Sequence, residues 1–386
     1  MKEKFLRELA DIQTGPFGSQ LHKEDYVADG TPIVTVEHLG NKMFSEQNLP
    51  RVSNTDKNRL KKYVLKQGDI VFSRVGSVDR CSYVDQKHDG WMFSGRCLRV
   101  RPTSEIDSEY LYYYFCLEET KQFVRNIAVG ATMPSINTKL LGEVVVTFPE
   151  LEQQKRISGI LSAIDSKIEV NQKINDNLEQ QAAALFSSLY NRSNTEVRYT
   201  DLIQILGGGT PKTGETAYWN GNIAFFTPKD VGTPYTFITE KTITEEGLSH
   251  CNSRLYPVNT VFVTARGTVG KVGLSGVPMA MNQSCYALVG KETHQLLVYF
   301  YTLKVVDKLK HKASGAVFDA ITTRDFESEQ IMKLSDDDAR AFLCVAEPMF
   351  QDILNNSIEN LRLSTLRDFL LPKLMSGEID VSNIQF

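Results

Sequence analysis

Turns rich in hydroxyl, amide, cationic and aromatic side chains stand out in the second half of this 386-residue chain. Residues 207–213 read Gly-Gly-Gly-Thr-Pro-Lys-Thr, residues 218–221 read Tyr-Trp-Asn-Gly, and residues 227–230 read Thr-Pro-Lys-Asp. Side chains of these types contact phosphates and base edges in nucleic acids. The turns therefore predict binding by hydrogen bonds and charge.

A search for catalytic motifs gives a negative result. No Pro-Pro pair occurs, which excludes the Asp/Asn-Pro-Pro-aromatic loop that holds a target amine in amino-methyltransferases. The turn Gly267-Thr268-Val269-Gly270-Lys271 has too few residues between its glycines to wrap a phosphate. Acid-x-Lys, half of a metal-dependent nuclease pattern, occurs about as often as chance predicts, and neither C-x-x-C nor H-E-x-x-H is present. We expect no catalytic residue and no metal site.

Composition is that of a globular protein, with 41% hydrophobic and 23% charged residues. No apolar run approaches a membrane span and the N-terminus is polar, so we expect no membrane segment, no signal peptide and a cytoplasmic location. The net charge of −4 argues weakly against nucleic acid. However, the excess acid lies mainly in residues 334–386, and basic runs occur at 57–62, 96–101 and 304–312.

An internal repeat determines the organisation of the chain. Residues 130–190 reappear without a gap 185 positions later, and the preceding parts repeat more loosely, with Gly76-Ser77-Val78-Asp79-Arg80 matching the turn at 267–271. The order is therefore globular, helical, globular, helical. Two copies are too few for a solenoid and predict a pseudo-two-fold object.

The helical parts carry a heptad pattern. Apolar residues alternate spacings of four and three from Ile157 to Leu189, and the pattern recurs from Phe342 to Leu374. Two polar layers interrupt it in both copies, at Asn171 and Asn175 and then at Asn356 and Asn360. Buried Asn fixes register, so the pattern favours two long antiparallel helices forming one coiled coil. Alternatively, each helix covers its own domain and the Asn side chains face water.

The second helix contains a proline. Because proline lacks the amide donor and clashes with the preceding turn, Pro348 predicts a break or kink near Glu347. Residues 335–338, Ser-Asp-Asp-Asp, then cap a short preceding helix. About 33 helical residues form a rod of roughly 50 Å, long enough to hold two domains apart.

The globular parts predict an α+β (mixed α/β) fold with curved sheets. Strand-like runs at 69–72, 144–147 and 260–263 alternate with glycine-rich turns and with helical stretches at 109–123 and 292–309.

Taken together, these motifs resemble the specificity subunits of type I restriction-modification systems over essentially the whole chain. The opening pattern at 208–231, the turn at 267–271 followed by Asn282-Gln283, the segment 130–168 and the closing residues 371–379 carry the resemblance. The first domain departs from it with Thr14-Gly15-Pro16-Phe17-Gly18-Ser19, the segment 317–321 is degenerate, and residues 335–340 lack the Pro and Glu-Gln before the first helix.

The resemblance implies two target-recognition domains at 1–147 and 193–333, with spacer helices at 148–192 and 334–386. Each domain would read one half of an asymmetric bipartite double-stranded DNA target. The helices would set the gap and dock two DNA-adenine methyltransferase subunits, and motor endonuclease subunits would join later. No cofactor is expected on this chain, since S-adenosylmethionine, ATP and Mg would belong to the partners. The candidate DNA-binding residues are Gln20, His22, Lys23, Arg74, Ser77, Arg80, Arg96, Lys212, Thr213, Tyr218, Trp219, Lys229, Arg266, Thr268, Lys271, Asn282 and Gln283.

Two alternatives remain at this point. The chain could instead be the specificity partner of a stand-alone methyltransferase or of a fused nuclease-methyltransferase. In a different class, it could be a coiled-coil scaffold that does not bind DNA. The duplicated turns and the long seam favour the DNA-specificity subunit.

Overall fold

The computed structural model describes residues 1–18, 20–232, 234–312 and 320–382. The chain divides into two compact units, the first comprising Met1–Ile168 and Arg362–Phe386 and the second comprising Glu169–Leu361. Each unit thus holds a globular part and a stretch of both long helices. The repeat residues Gly315, Ala316 and Val317 lie outside the described residues. The boundaries expected from the resemblance stay a prediction.

The first unit mixes short strands with helices. Its strands are β1 (Lys2–Phe5), β2 (Ala10–Thr14), β3 (Tyr26–Val27), β4 (Thr31–Val34), β5 (Arg51–Val52), β6 (Ile70–Ser73), β7 (Cys81–Tyr83), β8 (Met92–Phe93), β9 (Cys97–Pro102) and β10 (Val145–Phe148). Its helices are α1 (Leu6–Leu9), α2 (Asn54–Arg59), α3 (Ser108–Cys116), α4 (Glu118–Ile127) and α5 (Thr138–Gly142), followed by the start of the long helix α6 (Leu151–Arg192).

The second unit has the same kinds of element. Its strands are β11 (Thr195–Arg198), β12 (Ile203–Gly207), β13 (Trp219–Phe226), β14 (Tyr235–Thr236), β15 (Lys241–Ile243), β16 (Val261–Thr264), β17 (Val272–Ser275), β18 (Met279–Met281), β19 (Cys285–Gly290) and β20 (Gln330–Lys333). Its helices are α7 (Tyr199–Leu202), α8 (Glu245–Ser249), α9 (Gln295–Lys312) and α10 (Thr323–Glu327), followed by the start of the long helix α11 (Asp336–Ser376).

Strand pairing shows that the repeat extends to topology. The first unit has a sheet in the order β2-β9-β6-β7, and the second has β12-β19-β16-β17-β14. A parallel pair accompanies each sheet, β4 with β8 and β13 with β18. A two-stranded antiparallel ribbon occurs in each unit as well, β1 with β10 and β11 with β20. The predicted α+β class with two repeated globular parts is confirmed.

Both long helices pack by the predicted seam. In the first unit, Ile157 and Leu161 of α6 share a buried core with Leu371 and Leu374 of α11. In the second unit, the core is built around Phe186, whose ring lies 5.1 Å from that of Phe300 and 5.5 Å from that of Phe342. Ala182, Leu189, Ala346 and Ile353 are buried in the same core.

The predicted break at Pro348 is wrong, because α11 continues through it from Asp336 to Ser376. Its start was correctly located, since the Ser335 hydroxyl accepts a hydrogen bond from the amide of Asp338 at 3.1 Å. Because proline has no amide N–H, the carbonyl of Cys344 receives no hydrogen bond from residue 348. Both residues are exposed, so water can bind this carbonyl instead. On the other side, Phe350 is fixed in the core. Tertiary packing thus outweighs the local preference, which is about 3 kcal/mol against proline.

The single helix predicted at 109–123 is in fact two helices. Leu117 separates α3 from α4 with φ −59° and ψ 134°, an extended conformation. The turn lets Phe115 and Val124 both face the core, where each is 1% exposed. One straight helix of mixed polarity could not present both residues to the same core.

A polar network joins α3 to the helices in the first unit. The Asp165 carboxylate accepts hydrogen bonds from the Tyr113 hydroxyl at 2.5 Å and from Arg367 Nη1 at 2.8 Å. Lys42 Nζ lies 3.1 Å from Glu109 Oε1 and donates to the Ser162 hydroxyl at 3.0 Å. Partly buried charges are stabilised by such partners, and the contacts fix the globular part of this unit to α6 and α11.

Candidate nucleic-acid interface

Four turns converge beside the sheets of the second unit. The Gly209 amide donates to the Met281 carbonyl at 3.2 Å, and the Arg266 amide donates to the Ser284 carbonyl at 3.3 Å. The Thr268 hydroxyl donates to the Pro228 carbonyl at 3.0 Å. We call residues 208–218, 227–232, 265–271 and 282–284 the second loop cluster. They follow the carboxyl ends of β12, β13, β16 and β18, so the strand order brings these sequence motifs together.

The first unit has an equivalent arrangement. The Gly15 amide donates to the Cys97 carbonyl at 3.2 Å, and the Arg74 amide donates to the Arg96 carbonyl at 2.8 Å. The Ile136 amide in turn donates to the Arg74 carbonyl at 2.9 Å. We call residues 15–18, 74–80, 94–96 and 129–136 the first loop cluster. The two clusters occupy repeat-equivalent places in the topology.

Close backbone contact explains one glycine in each cluster. A Cβ added to Gly15 would lie 2.1 Å from the Ser94 carbonyl oxygen, and one added to Gly208 would lie 2.1 Å from the Asn282 carbonyl oxygen. Neither site can hold a side chain without moving the turn. Glycine therefore sets the position of the adjoining polar residues although the two turns differ in sequence.

Six of the predicted cations are exposed on these clusters, and one of them, Lys229, pairs with Glu240. The other five are Arg80 and Arg96 in the first cluster, and Lys212, Arg266 and Lys271 in the second. Among the described residues, none of these five side chains forms an ion pair. Exposed cations on adjoining loops form the kind of surface that attracts a phosphate backbone.

Several other candidates instead hold the loops in place. Arg74 Nη1 donates to the Gly95 carbonyl at 2.9 Å, and Trp219 Nε1 donates to the Lys212 carbonyl at 3.2 Å. The ring of Tyr218 stacks on His250 with centroids 4.9 Å apart. Thr268 binds the Pro228 carbonyl as above. These side chains position the turns and leave less capacity for contact with a ligand.

The remaining candidates differ in their surroundings. Lys229 Nζ lies 3.4 Å from Glu240 Oε2 in an exposed pair, Gln283 accepts from the Thr210 hydroxyl, and Asn282 accepts from the Ser284 amide at 3.0 Å. His22, Ser77 and Thr213 are exposed. Lys23 begins a short 3-10 turn, and its side chain lies outside the described part of the structure.

Gln20 lies outside the first loop cluster. Its carbonyl accepts from Arg59 Nη1 at 2.8 Å and its side chain accepts from the Tyr63 hydroxyl at 2.7 Å. The predicted recognition turn at residues 20–23 is therefore attached to α2 and the turn after it. Long-range contacts of this type leave no signal in local sequence.

Two basic runs prove to be largely structural. Arg99, 2% exposed, pairs with Asp11, and Arg101 Nη2 lies 2.7 Å from Asp69 Oδ2. Lys308 and Lys312 both pair with the buried carboxylate of Glu329. Burial favours the neutral acid, but the two lysines together hold the pKa of Glu329 below its ordinary value. These cations neutralise internal acids.

The sequence search missed a hairpin in the first loop cluster. In residues 129–136, the side chains of Val129 and Met133 are 55% and 65% exposed. Phe17, two residues after Gly15 in the same cluster, is 55% exposed. The available signal is the repeated Gly-Ala at residues 130 and 315, which begins both copies of the repeat. In the second unit the Ile321 amide donates likewise to the Ala265 carbonyl at 2.9 Å.

The four Asn side chains lie between the long helices. Asn171 Nδ2 donates to Asn360 Oδ1 at 2.9 Å, and Asn356 Nδ2 donates to Asn175 Oδ1 at 2.9 Å. Asn171 is 1% exposed and Asn175 is 9% exposed. The pairing is crosswise, as antiparallel helices require, and it contrasts with the alternative in which Asn faces water.

Among the described residues, neither a candidate metal cluster nor a candidate membrane span is found. No group of three or more His, Cys, Asp or Glu side chains in that part of the chain could hold a metal ion. Within the same residues, no helix combines the length and apolar character needed to cross a bilayer.

Repeated α+β domains with polar loop clusters and paired helices define a two-part recognition protein. The chain belongs to the family described as the type I restriction modification DNA specificity domain, whose model matches residues 1–180 and 191–333. Family membership confirms the resemblance seen in the sequence. The chain is thus a DNA-specificity protein with no catalytic role of its own.

Individual relatives are similar over most of their length. The HindI specificity subunit of Haemophilus influenzae is 25% identical, with 82% of this chain and 88% of that protein covered. The MjaIX specificity subunit of Methanocaldococcus jannaschii is 24% identical over 74% of this chain and 72% of that protein. The crystal structure of a type I restriction-modification S subunit from M. genitalium shares the fold, with a TM-score of 0.59, 16% identity and coverage of 97% of this chain and 95% of that one.

Proposed function

We propose that this chain selects an asymmetric, bipartite double-stranded DNA target for a type I restriction-modification complex, each loop cluster reading one half. The observation that carries the proposal is the second loop cluster, where backbone bonds gather four turns and leave Lys212, Arg266 and Lys271 exposed. The same topology in the first unit presents Arg80 and Arg96. Cations at these places bind phosphates, and their neighbours contact base edges.

The two clusters carry different side chains at matched places. The first turn reads Gly76-Ser77-Val78-Asp79-Arg80 where the second reads Gly-Thr-Val-Gly-Lys at 267–271. In the first, Asp79 Oδ2 is bonded to Arg125 Nη1 at 2.5 Å, whereas glycine occupies the corresponding position, 270. Different groups on the same scaffold read different base edges, so the half-sites differ.

The long helices set the unread gap and dock two DNA-adenine methyltransferase subunits. Exposed apolar side chains on both helices support this docking. On α6, Val170 is 50% exposed and Ile174 is 44% exposed, one helical turn apart. On α11, Leu366 is 46% exposed and Phe369 is 60% exposed. Partner helices would cover these residues, as at other protein interfaces with apolar centres.

The partners supply the chemistry in this proposal. Methyltransferase subunits bind S-adenosylmethionine, and motor endonuclease subunits bind ATP and Mg. The complex acts on DNA in the cytoplasm. The purified single chain is therefore expected to transfer no methyl group, cleave no DNA and bind no S-adenosylmethionine.

Mapping of methylated adenines by sequencing tests the proposed function. The host with this gene should show one asymmetric motif made of two short specific parts and an unread gap. Deletion of the gene alone should remove that motif, and return of the gene should restore it. An unchanged methylation map after deletion would contradict a role in DNA specificity.

A further inference from the structure

A long apolar side chain occupies the tip of the hairpin in the first loop cluster. Val129 and Ser135 exchange backbone hydrogen bonds of 2.9 and 2.8 Å, which close residues 129–135 into a tight hairpin. Met133 at its tip is 65% exposed. An isolated exposed apolar residue is ordinary on a protein surface, so its rigidity and its surroundings decide the interpretation.

Backbone contacts hold this tip firmly. The Gly76 amide donates to the Pro134 carbonyl at 2.8 Å, which attaches the hairpin to the turn that carries Arg80. Gly130 has φ +104°, and a Cβ there would lie 2.7 Å from the Met133 carbonyl oxygen. The hairpin is therefore closed upon itself and fixed to its neighbour. These backbone bonds set the position of Met133.

Arg74 links the hairpin to a second exposed apolar group. Its carbonyl accepts from the Ile136 amide at 2.9 Å, while its guanidinium carbon lies 5.8 Å from the centroid of the Phe17 ring. Phe17 is 55% exposed, and Arg80 and Arg96 are exposed on the adjoining turns. Exposed apolar side chains on loops that also carry free cations suit a DNA duplex better than an apolar protein surface, because the cations would stay unpaired against the latter.

We propose that Met133 is a wedge that enters between two stacked base pairs of the first half-site. In this proposal Arg80 and Arg96 contact the phosphates while the thioether side chain unstacks one base step. Apolar wedges of this size, Met among them, partly unstack and kink DNA in other complexes. Because unstacking costs least at flexible pyrimidine–purine steps, the wedge adds specificity at a step that no polar group contacts. The inference rests on the proposed function.

Fluorescence of 2-aminopurine tests the wedge. The duplex carries the mapped target with 2-aminopurine at successive positions of the first half-site, excluding the methylated adenine. It is bound by the full chain in complex with its methyltransferase subunits. The parent complex should raise the fluorescence at one step, Met133→Ala should lose that rise, and Met133→Leu should keep it. Val145→Ala, which shortens an exposed apolar side chain on β10, is the matched control and should behave like the parent.

The outcomes separate this inference from the proposed function. A rise that persists unchanged in Met133→Ala, or no rise at any position in the parent complex, overturns the wedge while the bipartite methylation map still stands. If the parent complex does not select the mapped target over unrelated duplex, the proposed function fails and the wedge fails with it. Because Met133 is exposed, thermal unfolding of Met133→Ala should match the parent, which excludes misfolding as the cause of a lost signal.

Discussion

Residues of the loop clusters have one of two roles in the structure: some hold the turns in position, and others are exposed with charges that have no ion-pair partner among the described residues. Gly15 and Gly208 are needed because a carbonyl oxygen occupies the space of a side chain. Arg74 and Trp219 use their hydrogen bonds on the protein itself. Exposed cations such as Lys271 are the ones left for the proposed contacts with phosphates. A substitution should therefore affect loop position or DNA charge contact according to this division.

Gly208→Ala should displace the turn that carries Lys212. The new Cβ would meet the Asn282 carbonyl at 2.1 Å, a clash with backbone that costs about 1–3 kcal/mol of stability. Thermal unfolding and methylation mapping measure the effect, which should be loss of the second half-site with the first retained. Gly214→Ala is the control, since a Cβ at Gly214 meets nothing within 4 Å. Equal behaviour of the two variants would contradict the steric argument.

Lys271→Ala should weaken binding to all sequences alike. A phosphate contact carries no sequence information, so the slope of binding against salt should flatten by about one unit. The measurement is the affinity of the assembled complex for target and unrelated duplex at several salt concentrations. Lys66→Ala removes an exposed lysine outside the loop clusters and should change neither slope nor affinity.

A base-reading arginine should behave differently, costing about 1–3 kcal/mol for its own base only. The same assay applies to alanine variants of all seven loop cations proposed from the sequence. Parent-like binding by the whole set would exclude this surface. The set is Arg74, Arg80, Arg96, Lys212, Lys229, Arg266 and Lys271.

Residue types on the turns were predictable, whereas their partners were not. Glycine-rich motifs and cations can be found locally, and they led to the second loop cluster. The pairs Arg99–Asp11 and Arg101–Asp69 join residues far apart in sequence, so a basic run could not be divided into free and paired members. Met133 was missed for a related reason, because only the backbone bonds to Gly76 reveal where its hairpin lies.

Helices and strands follow the sequence wherever periodicity is strong. The heptad seam predicted both long helices, and apolar runs located β6, β10 and β16 within a residue or so. The failures occurred where packing overrode a local signal, at Leu117 and at Pro348. In each case side chains on both sides of the signal are buried in one core, which local rules do not include.

Pro348→Ala should stabilise α11. Alanine restores an amide donor to the Cys344 carbonyl and removes the ring clash, so unfolding should cost about 1–3 kcal/mol more. Denaturant unfolding followed by circular dichroism measures the change. The repeat-equivalent control is Ala163→Pro in α6, also at an exposed position, which should lose a similar amount. A lower stability for Pro348→Ala would show that α11 depends on the proline.

For the molecule as a whole, the repeat was the most informative feature of the sequence. Offsets near 190 residues predicted two globular parts, and strand order confirms that both use one topology. The number and order of the strands could not be predicted, because pairs such as β4 with β8 are parallel and non-local. In the proposed function, both long helices together determine the spacing of the two half-sites.

Lengthening both helices should lengthen the unread gap. Four residues inserted after Gln172 and four after Ile358 fall between the Asn171–Asn360 and Asn175–Asn356 layers, so each pair keeps its partner. Each insertion adds roughly 6 Å of helix and about 40° of rotation. At 3.4 Å per base pair, methylation mapping should show a gap longer by one or two base pairs and unchanged half-sites.

Insertion after Gln172 alone is the control for this experiment. It moves one helix past the other and separates each Asn from its partner, so the chain should unfold at lower temperature and lose the defined gap. An altered half-site with the original gap in the double insertion would mean that the helices do not determine spacing.

The Asp165–Arg367 pair influences which of the long helices can pair with each other. The repeat places Phe350 in the position equivalent to Asp165 and Ala182 in the position equivalent to Arg367, and both are buried in the core of the second unit. Two α6 helices from separate molecules could align their Asn layers with each other, but Asp165 would then face the region of Gln181 and Ala182 and bury a charge without its arginine. The charge on one side of the seam thus disfavours pairing of two α6 helices with each other and favours pairing of α6 with α11.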